Sequence, residues 1–451
     1  MATVDFGRYK RIVQMFWDPE PTNDVALDQP VWCLGLAYTL ADEKPRHGTS
    51  GSSSPPSSSS SPSRSVPQSQ ESSDTTGAPS GSADSSQSGC VPSTDANEPR
   101  SHGGWPAAFL DDFESRLWMT YRSDFEPIPK SEDPASLSAL SFQMRVKSQL
   151  VDQNGFTSDS GWGCMIRSGQ SLLANTISIQ RLGRDWRRGK DRDGERRVIS
   201  LFADDPRAPY SIHKFVAHGA QHCGKYPGEW FGPSATARCI RALVTEHDPD
   251  LRVYSTGDGP DVYEDEFMNI ARPDGETFHP TLILVGTRLG IDKITPVYWE
   301  ALISALQLPQ SVGIAGGRPS SSHYFVGAQG NSLFYLDPHH TRPSLPYHPD
   351  PLSCTDEEVD SCHTRRLRRL HLSEVDPSML IGFLIRSEDE WAEWKRSIKH
   401  VQGKAVISVT DRAAVSSVDP NPGHLVDEVE ALSDEDEDEG DGVVVESGDI
   451  T

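Results

Sequence analysis

Apolar positions change their spacing part-way along the chain. In the first half they recur every three or four residues, as on one face of a helix. Phe109, Phe113, Leu117 and Tyr121 form one such stripe and predict a helix over Phe109–Arg122, before Phe125-Glu-Pro-Ile-Pro breaks it. Ile166, Leu172, Leu173 and Ile177 form a second stripe, predicting a helix from Cys164 to about Leu182. Between them, Arg145 to Asp152 reads as a short connector or strand. Ser234 offers an N-cap for a helix reaching about His247. Beyond that the runs shorten to strand length. Thr281–Gly286, Ser311–Ala315 and Ser378–Ile385 read as buried strands, and His323–Ala328 with Ser332–Leu336 as a hairpin around Gln329-Gly-Asn331. Two helices interrupt them. Thr295–Leu306 has Pro296 near its start, and the last helix, bearing Trp391, Trp394 and Ile398, opens on a Ser387-x-x-Glu390 capping box. Helices first and strands afterwards imply an α+β fold, a helical layer packed on a mainly antiparallel sheet.

Polar stretches divide the chain. Residues 1–47 carry enough aromatic and apolar side chains, above all Val31–Tyr38, to form an arm packing on the core; Tyr9-Lys-Arg-Ile12 reads as a first amphipathic turn. Residues 48–103 are dominated by Ser, Pro and Gly; they cannot bury enough surface to offset their ordering entropy and are expected to be a disordered insertion. The folded domain then spans 104–403, and 404–451 is expected to be a disordered acidic tail. That tail carries much of the net charge of −24, with twelve carboxylates and no Lys or Arg from Asp427 to Asp449. Such a balance argues against nucleic acid as a partner. The basic stretch from Arg184 to Arg197 reads as a solvated face. Seven cysteines, an odd number without framework spacing, point to reduced thiols. The first residues show no signal-peptide h-region, and the longest apolar runs are strand-length. A cytosolic chain is therefore expected, with nuclear entry open.

Candidate chemistry centres on Cys164. It follows the tight turn Gly161-Trp162-Gly163 and starts a helix, whose free N–H groups and dipole favour a thiolate. A cysteine nucleophile needs a base, and the base needs an orienting group. Tyr335-Leu-Asp-Pro-His339 supplies both: around Pro338 the chain stays extended, so Asp337 and His339 project to one side and His340 away. His323, preceding a strand, is a rival base that Asn331 would orient. The Cys164 N–H is a ready oxyanion donor; Tyr121 offers a hydroxyl as a second, or reads as a core residue of its apolar stripe. His213, His218, His222 and Cys223 raise a zinc reading, but no CxxC or HExxH accompanies them, so no metal is expected.

Ser115-Arg-Leu-Trp-Met-Thr-Tyr-Arg122, Thr157-Ser-Asp-Ser-Gly-Trp-Gly-Cys-Met-Ile-Arg167, Gly228-Glu-Trp-Phe-Gly-Pro233, Gly316-Gly-Arg-Pro-Ser320 with His323-Tyr-Phe325, and Tyr335-Leu-Asp-Pro-His339 together resemble the autophagins, most closely of the fungal type. These are the cysteine proteases that process the ubiquitin-like modifier of autophagy. The resemblance spans roughly 105–400, with Tyr9–Tyr38 also similar. It implies a papain-like fold, Cys164 as nucleophile, His339 as base, Asp337 as its orienter, and Tyr121 with Cys164 in the oxyanion hole. Trp230 would cover the site opposite a mobile gate, the Gly316–Ser322 loop, and with Gly316, Gly317 and Pro319 would form a slot that suits glycine. The implied reactions are priming of the modifier's precursor and its release from phosphatidylethanolamine, through a thioester and without a cofactor. The implied partners are both forms of the modifier, with autophagic membranes touched through the substrate at sites of autophagosome formation. A monomer is expected. The resemblance also suggests redox control, for which Cys354 and Cys362 would be a pair. Three other readings stay open: a catalytically weak scaffold for the same modifier, a transglutaminase-like acyltransferase, and a zinc protein.

Overall fold

The computed structural model describes residues 19–23, 29–40, 101–150, 154–317, 321–401 and 403–411. The expectations for Tyr9–Ile12, for most of 48–103, and for the acidic tail beyond residue 411 lie outside these.

In chain order, the strands are β1 (Val31–Cys33), β2 (Leu36–Tyr38), β3 (Arg122–Ile128), β4 (Phe156–Ser158), β5 (Arg252–Ser255), β6 (Asp261–Tyr263), β7 (Thr281–Arg288), β8 (Ser311–Gly316), β9 (His323–Gln329), β10 (Ser332–Leu336), β11 (Arg342–Pro343), β12 (Arg369–His371), β13 (Ser378–Ile385) and β14 (Ser408–Thr410). The α-helices are α1 (Ala107–Glu114), α2 (Ala135–Ala139), α3 (Phe142–Leu150), α4 (Cys164–Leu182), α5 (Arg192–Ser200), α6 (Ile212–His222), α7 (Pro233–His247), α8 (Glu264–Ala271), α9 (Trp299–Gln307), α10 (Asp356–Asp360) and α11 (Glu388–Lys399).

A central sheet runs β12-β10-β9-β8-β13-β7-β5, with the β1–β2 hairpin joined to β9. Its pairings are antiparallel except β5 with β7. The strands alternate between two cores, as side chains on successive residues must. Leu282, Leu284, Leu380 and Leu384 join the cluster that contains α1, α4, α6 and α7. Ile283, Val285, Ile381 and Phe383 join the cluster of α8, α9 and α11. The sheet is thus covered on both faces, which is why β7 and β13 read as unbroken apolar runs. Helix α4 lies against the centre of the first face: a Cβ added to Gly382 on β13 would stand 3.2 Å from the Leu172 side chain.

β1 pairs with β9 through Trp32–Ala328 and Cys33–Gly327, continuing along β9 where β8 leaves off. The residues before β1 are fastened to those before α1. The Trp105 indole donates to the Pro21 carbonyl at 2.8 Å, and Asn23 donates from its backbone to Gly103 (2.9 Å) and from its amide to Gly104 (3.1 Å).

Several local expectations change. The stripe from Phe109 is helical only to Glu114. Leu117 and Tyr121 are buried in a segment without regular secondary structure instead, held by side chains of α4: Asn175 bonds both the N–H and the carbonyl of Leu117, and Ser171 accepts from Met119 N. Arg145 lies in helix α3, not a connector or strand. Helix α7 starts at Pro233 with Gly232 as its N-cap, so Ser234 is already inside it. Pro296 opens a short 3-10 turn, and α9 begins at Trp299. Ser387 caps α11, but the Glu390 carboxylate turns to the Arg386 N–H. Arg184 is not solvated: it is 12 % exposed and pairs with the buried Asp112 at 2.8 Å.

Replacing Leu172 by Ala is expected to destabilise the protein by about 2–5 kcal/mol, because the packed sheet leaves no room to collapse onto the cavity. Phe142→Ala, at a side chain 77 % exposed, is expected to change stability by no more than about 0.5 kcal/mol. Urea denaturation midpoints at constant slope measure both.

Candidate active site

Cys164 is the first residue of α4 and is fully buried. Its place is set by Asp159. The Asp159 carbonyl accepts from the N–H groups of Gly163 (2.8 Å) and Trp162 (3.2 Å), closing the turn. Its carboxylate reaches the Arg122 N–H on β3 at 2.6 Å and the Arg167 guanidinium on α4 at 2.6 Å. Gly163 is required here, since a Cβ would meet that carboxylate at 2.5 Å. The Cys164 N–H stays unused by the helix ladder, as first-turn N–H groups must.

Asp337 and His339 follow the end of β10. The imidazole Nδ1 lies 2.6 Å from Asp337 Oδ1, and the same oxygen accepts the His339 backbone N–H at 3.0 Å. The side chains are 15 % and 14 % exposed. The loop is stitched to β3's approach: Tyr121 N donates to the Pro338 carbonyl (2.8 Å), and Trp118 Nε1 donates to the Asp337 carbonyl (2.7 Å). Tyr121 stands edge-on to His339, ring centroids 5.4 Å apart. Its hydroxyl and His339 Nε2 are both buried, and both interact with the Cys164 sulfur.

These groups shift one another's protonation. Burial pushes the Cys164 thiol up, but hydrogen bonding and charge from His339, the Ser322 N–H and the Tyr121 hydroxyl outweigh it and bring the pKa down to about 7. Burial disfavours the His339 imidazolium, yet Asp337 and the Cys164 thiolate raise its pKa to about 10. Asp337 is held well below the usual carboxylate range: burial opposes this, and His339 and His323 overcome it. The arrangement can therefore hold a thiolate–imidazolium pair near neutral pH, with a phenol and a backbone N–H beside the sulfur.

His323 is brought into the same cluster, its ring centroid 5.5 Å from that of His339. Burial lowers its pKa to about 4, so it stays neutral. Donor atoms of His323, Asp337 and His339 lie within 4.8 Å of one another, the only such metal-like group among the described residues. Its carboxylate is already committed, however, because Asp337 Oδ2 faces Arg368 Nη1 at 3.6 Å. The zinc reading of the α6 segment fares differently. The His218 and His222 rings lie tilted against each other, centroids 4.7 Å apart, but His213 bonds the Glu126 carbonyl.

Of the slot residues, Gly316 pairs with His323 across β8 and β9. Gly317 has φ +140°, and a Cβ there would meet the Ser321 carbonyl at 2.4 Å. Trp230 is partly buried before α7, with its indole N–H unpaired. Pro319 lies outside the described residues. Cys354 and Cys362 are both free, buried thiols. Sequence reasoning missed Ser322 as an N–H donor to the thiolate and Arg368 as a neighbour of Asp337. Arg368 sits in the run Arg365-Arg-Leu-Arg-Arg369, which carries no signal beyond charge.

Residues 106–397 match the model of the Peptidase C54 catalytic domain. The chain is 60 % identical to Cysteine protease ATG4 of Gibberella zeae, covering 97 % of this chain and 98 % of that one. It is 58 % identical to Probable cysteine protease atg4 of Sclerotinia sclerotiorum, covering 97 % and 99 %. With Cysteine protease ATG4 of Pyricularia oryzae it shares 56 % identity, covering 97 % and 98 %. A free cysteine at a helix start beside a histidine–aspartate pair agrees with those names, and the chain belongs to the Peptidase C54 family of autophagy-related cysteine proteases.

Proposed function

We propose that this protease cleaves after the C-terminal glycine of a ubiquitin-like autophagy modifier, both to prime its precursor and to release it from phosphatidylethanolamine. The observation that carries the reading is Cys164 at a helix start with His339 held by Asp337 at 2.6 Å, in a chain of this family. The Cys164 thiolate attacks the glycine carbonyl. The developing oxyanion lies between the Cys164 N–H and the Tyr121 hydroxyl. His339, protonated in the resting pair, gives its proton to the departing amine: a peptide amine in priming, the lipid headgroup amine in release. The remaining thioester is hydrolysed by water that His339 deprotonates. Asp337 keeps the imidazole in the tautomer and orientation these transfers need.

A slot formed by Trp230, Gly316, Gly317 and Pro319 would admit glycine and reject a side chain. Contact with membrane is made through the conjugated substrate, and the enzyme works as a monomer in the cytoplasm, where autophagosomes form. The scaffold alternative is disfavoured by the geometry: Cys164 opens a helix and interacts with His339, whose ring is held by Asp337 at 2.6 Å.

The test is a modifier precursor bearing extra residues after its glycine, incubated with reduced enzyme and read by intact mass; a second arm uses the modifier conjugated to phosphatidylethanolamine in vesicles. Cleavage after the glycine is expected in both. Binding without cleavage would return the scaffold reading. Cys164→Ala and His339→Ala are expected to lower kcat by about 10⁶-fold, Asp337→Asn by about 10⁴-fold and Tyr121→Phe by about 10²-fold. His323→Ala is expected to keep cleavage, because a histidine neutral down to about pH 4 supplies no proton near neutrality.

The pH profile follows from the same pair. Activity should rise as Cys164 deprotonates through about 7 and fall as His339 loses its proton through about 10. Initial rates between pH 5 and 11, with a stability control at each pH, read both limbs. A single limb, with no loss on the alkaline side, would contradict the ion-pair assignment.

A further inference from the structure

Asp337 has two carboxylate oxygens, and the reaction just described uses one. Oδ1 takes both the ring and the backbone N–H of His339. Oδ2 faces the guanidinium of Arg368, Nη1 at 3.6 Å, with both side chains about one-seventh exposed. Arg368 is not a passing surface arginine. Its carbonyl accepts the Tyr335 N–H at 3.1 Å, which pins its backbone beside β10, two residues before Asp337. Its second arm, Nη2, lies 3.3 Å from His340 Nε2. The His340 ring stands edge-on to the Trp118 indole, centroids 5.9 Å apart, and Trp118 Nε1 returns to the Asp337 carbonyl at 2.7 Å. Asp337, Arg368, His340 and Trp118 therefore close a ring behind the Asp337–His339 pair, with a cation placed on the oxygen that the imidazole leaves open.

We propose that Arg368 is a positioning residue that fixes the Asp337 carboxylate and limits how strongly its charge holds a proton on His339. The inference rests on Asp337 and His339 acting together in the proposed reaction. A carboxylate shared with a fixed cation exerts a weaker field on its histidine. His339 then gives up its proton more readily to the leaving amine. The other titratable and charged groups facing this pair are the Cys164 thiolate, neutral His323, the Tyr121 hydroxyl, and His340, which is itself faced by Arg366 and Arg342. Burial, helped by the neighbouring arginines and opposed by the Asp337 charge, lowers the His340 pKa, so its Nε2 is free to accept from Arg368.

The experiment follows the His339 ring by NMR in full-length, reduced enzyme labelled at histidine, its resonance assigned by loss in His339→Ala. In Arg368→Gln its titration midpoint should move up by about half a unit or more. Arg368→Lys, which keeps the charge, should titrate as the wild type does. Arg368→Met keeps the aliphatic stem and reads the same quantity should the Gln variant unfold. Cleavage of the modifier precursor should show the alkaline limb moved the same way, kcat down about tenfold and KM within about twofold. Coincident midpoints in wild type and the neutral variants would overturn the proposal, as would an equal shift in Arg368→Lys. The ring titration needs no substrate. A shifted midpoint in an enzyme that fails to cut the modifier would sink the substrate reading and leave the positioning role standing.

Discussion

The buried carboxylate of Asp159 joins three pieces of chain that must meet before Cys164 has a place. It holds the β3 backbone through Arg122 N and helix α4 through Arg167, while its own carbonyl closes the Trp162–Gly163 turn. Arg167 is shared with a second buried carboxylate, Asp204, at 2.8 Å. Such a triad is expensive to desolvate and adds little net stability. Removing one member is another matter, since an uncompensated buried charge costs about 3–5 kcal/mol. The network's value lies in direction: it fixes where α4 starts, and so where the sulfur and its N–H point. The oxyanion candidate inherits the same frame, because Tyr121 precedes the residue whose N–H Asp159 holds.

Two histidines in one cluster show how burial and pairing compete. His323 and His339 stand 5.5 Å apart and meet similar desolvation. His339 has a carboxylate at 2.6 Å and a thiolate beside it, and it is driven to the charged form. His323 feels the Asp337 charge without a hydrogen bond to it; burial wins and the ring stays neutral. Sequence spacing hinted at this outcome, because Asp-Pro-His fixes an i, i+2 pairing that His323 lacks.

Legibility followed how local the cause was. β13 was readable to the residue, Ser378 to Ile385, because a strand buried on both faces is apolar throughout. Helix α4 was equally clear, since nineteen residues leave room for several turns of one pattern. The stripe through Leu117 and Tyr121 misled because a four-residue period is also met by a chain that leaves its helix and lies along the core. What decides there is Asn175 and Ser171, some fifty residues away. Helix α3 was missed for the opposite reason: Phe142 and Val146 face solvent while the buried face carries Met144 and the polar Ser148, so no apolar stripe marks it. The catalytic candidates were visible through short motifs. Their supports, Arg368 and the Ser322 N–H, depend on strand neighbours that only the folded sheet supplies.

The fastening of Pro21 and Asn23 to Gly103, Gly104 and Trp105 brings together two points some eighty positions apart in the chain. It has an evolutionary consequence. Once both ends are held, doubling the length of an intervening loop adds only about 0.6 kcal/mol of closure entropy. Changing the number of residues between β2 and α1 is therefore expected to cost the folded enzyme little in closure entropy. New recognition sequences can accumulate there while the sheet, the turn before Cys164 and the Asp337–His339 pair remain under separate selection.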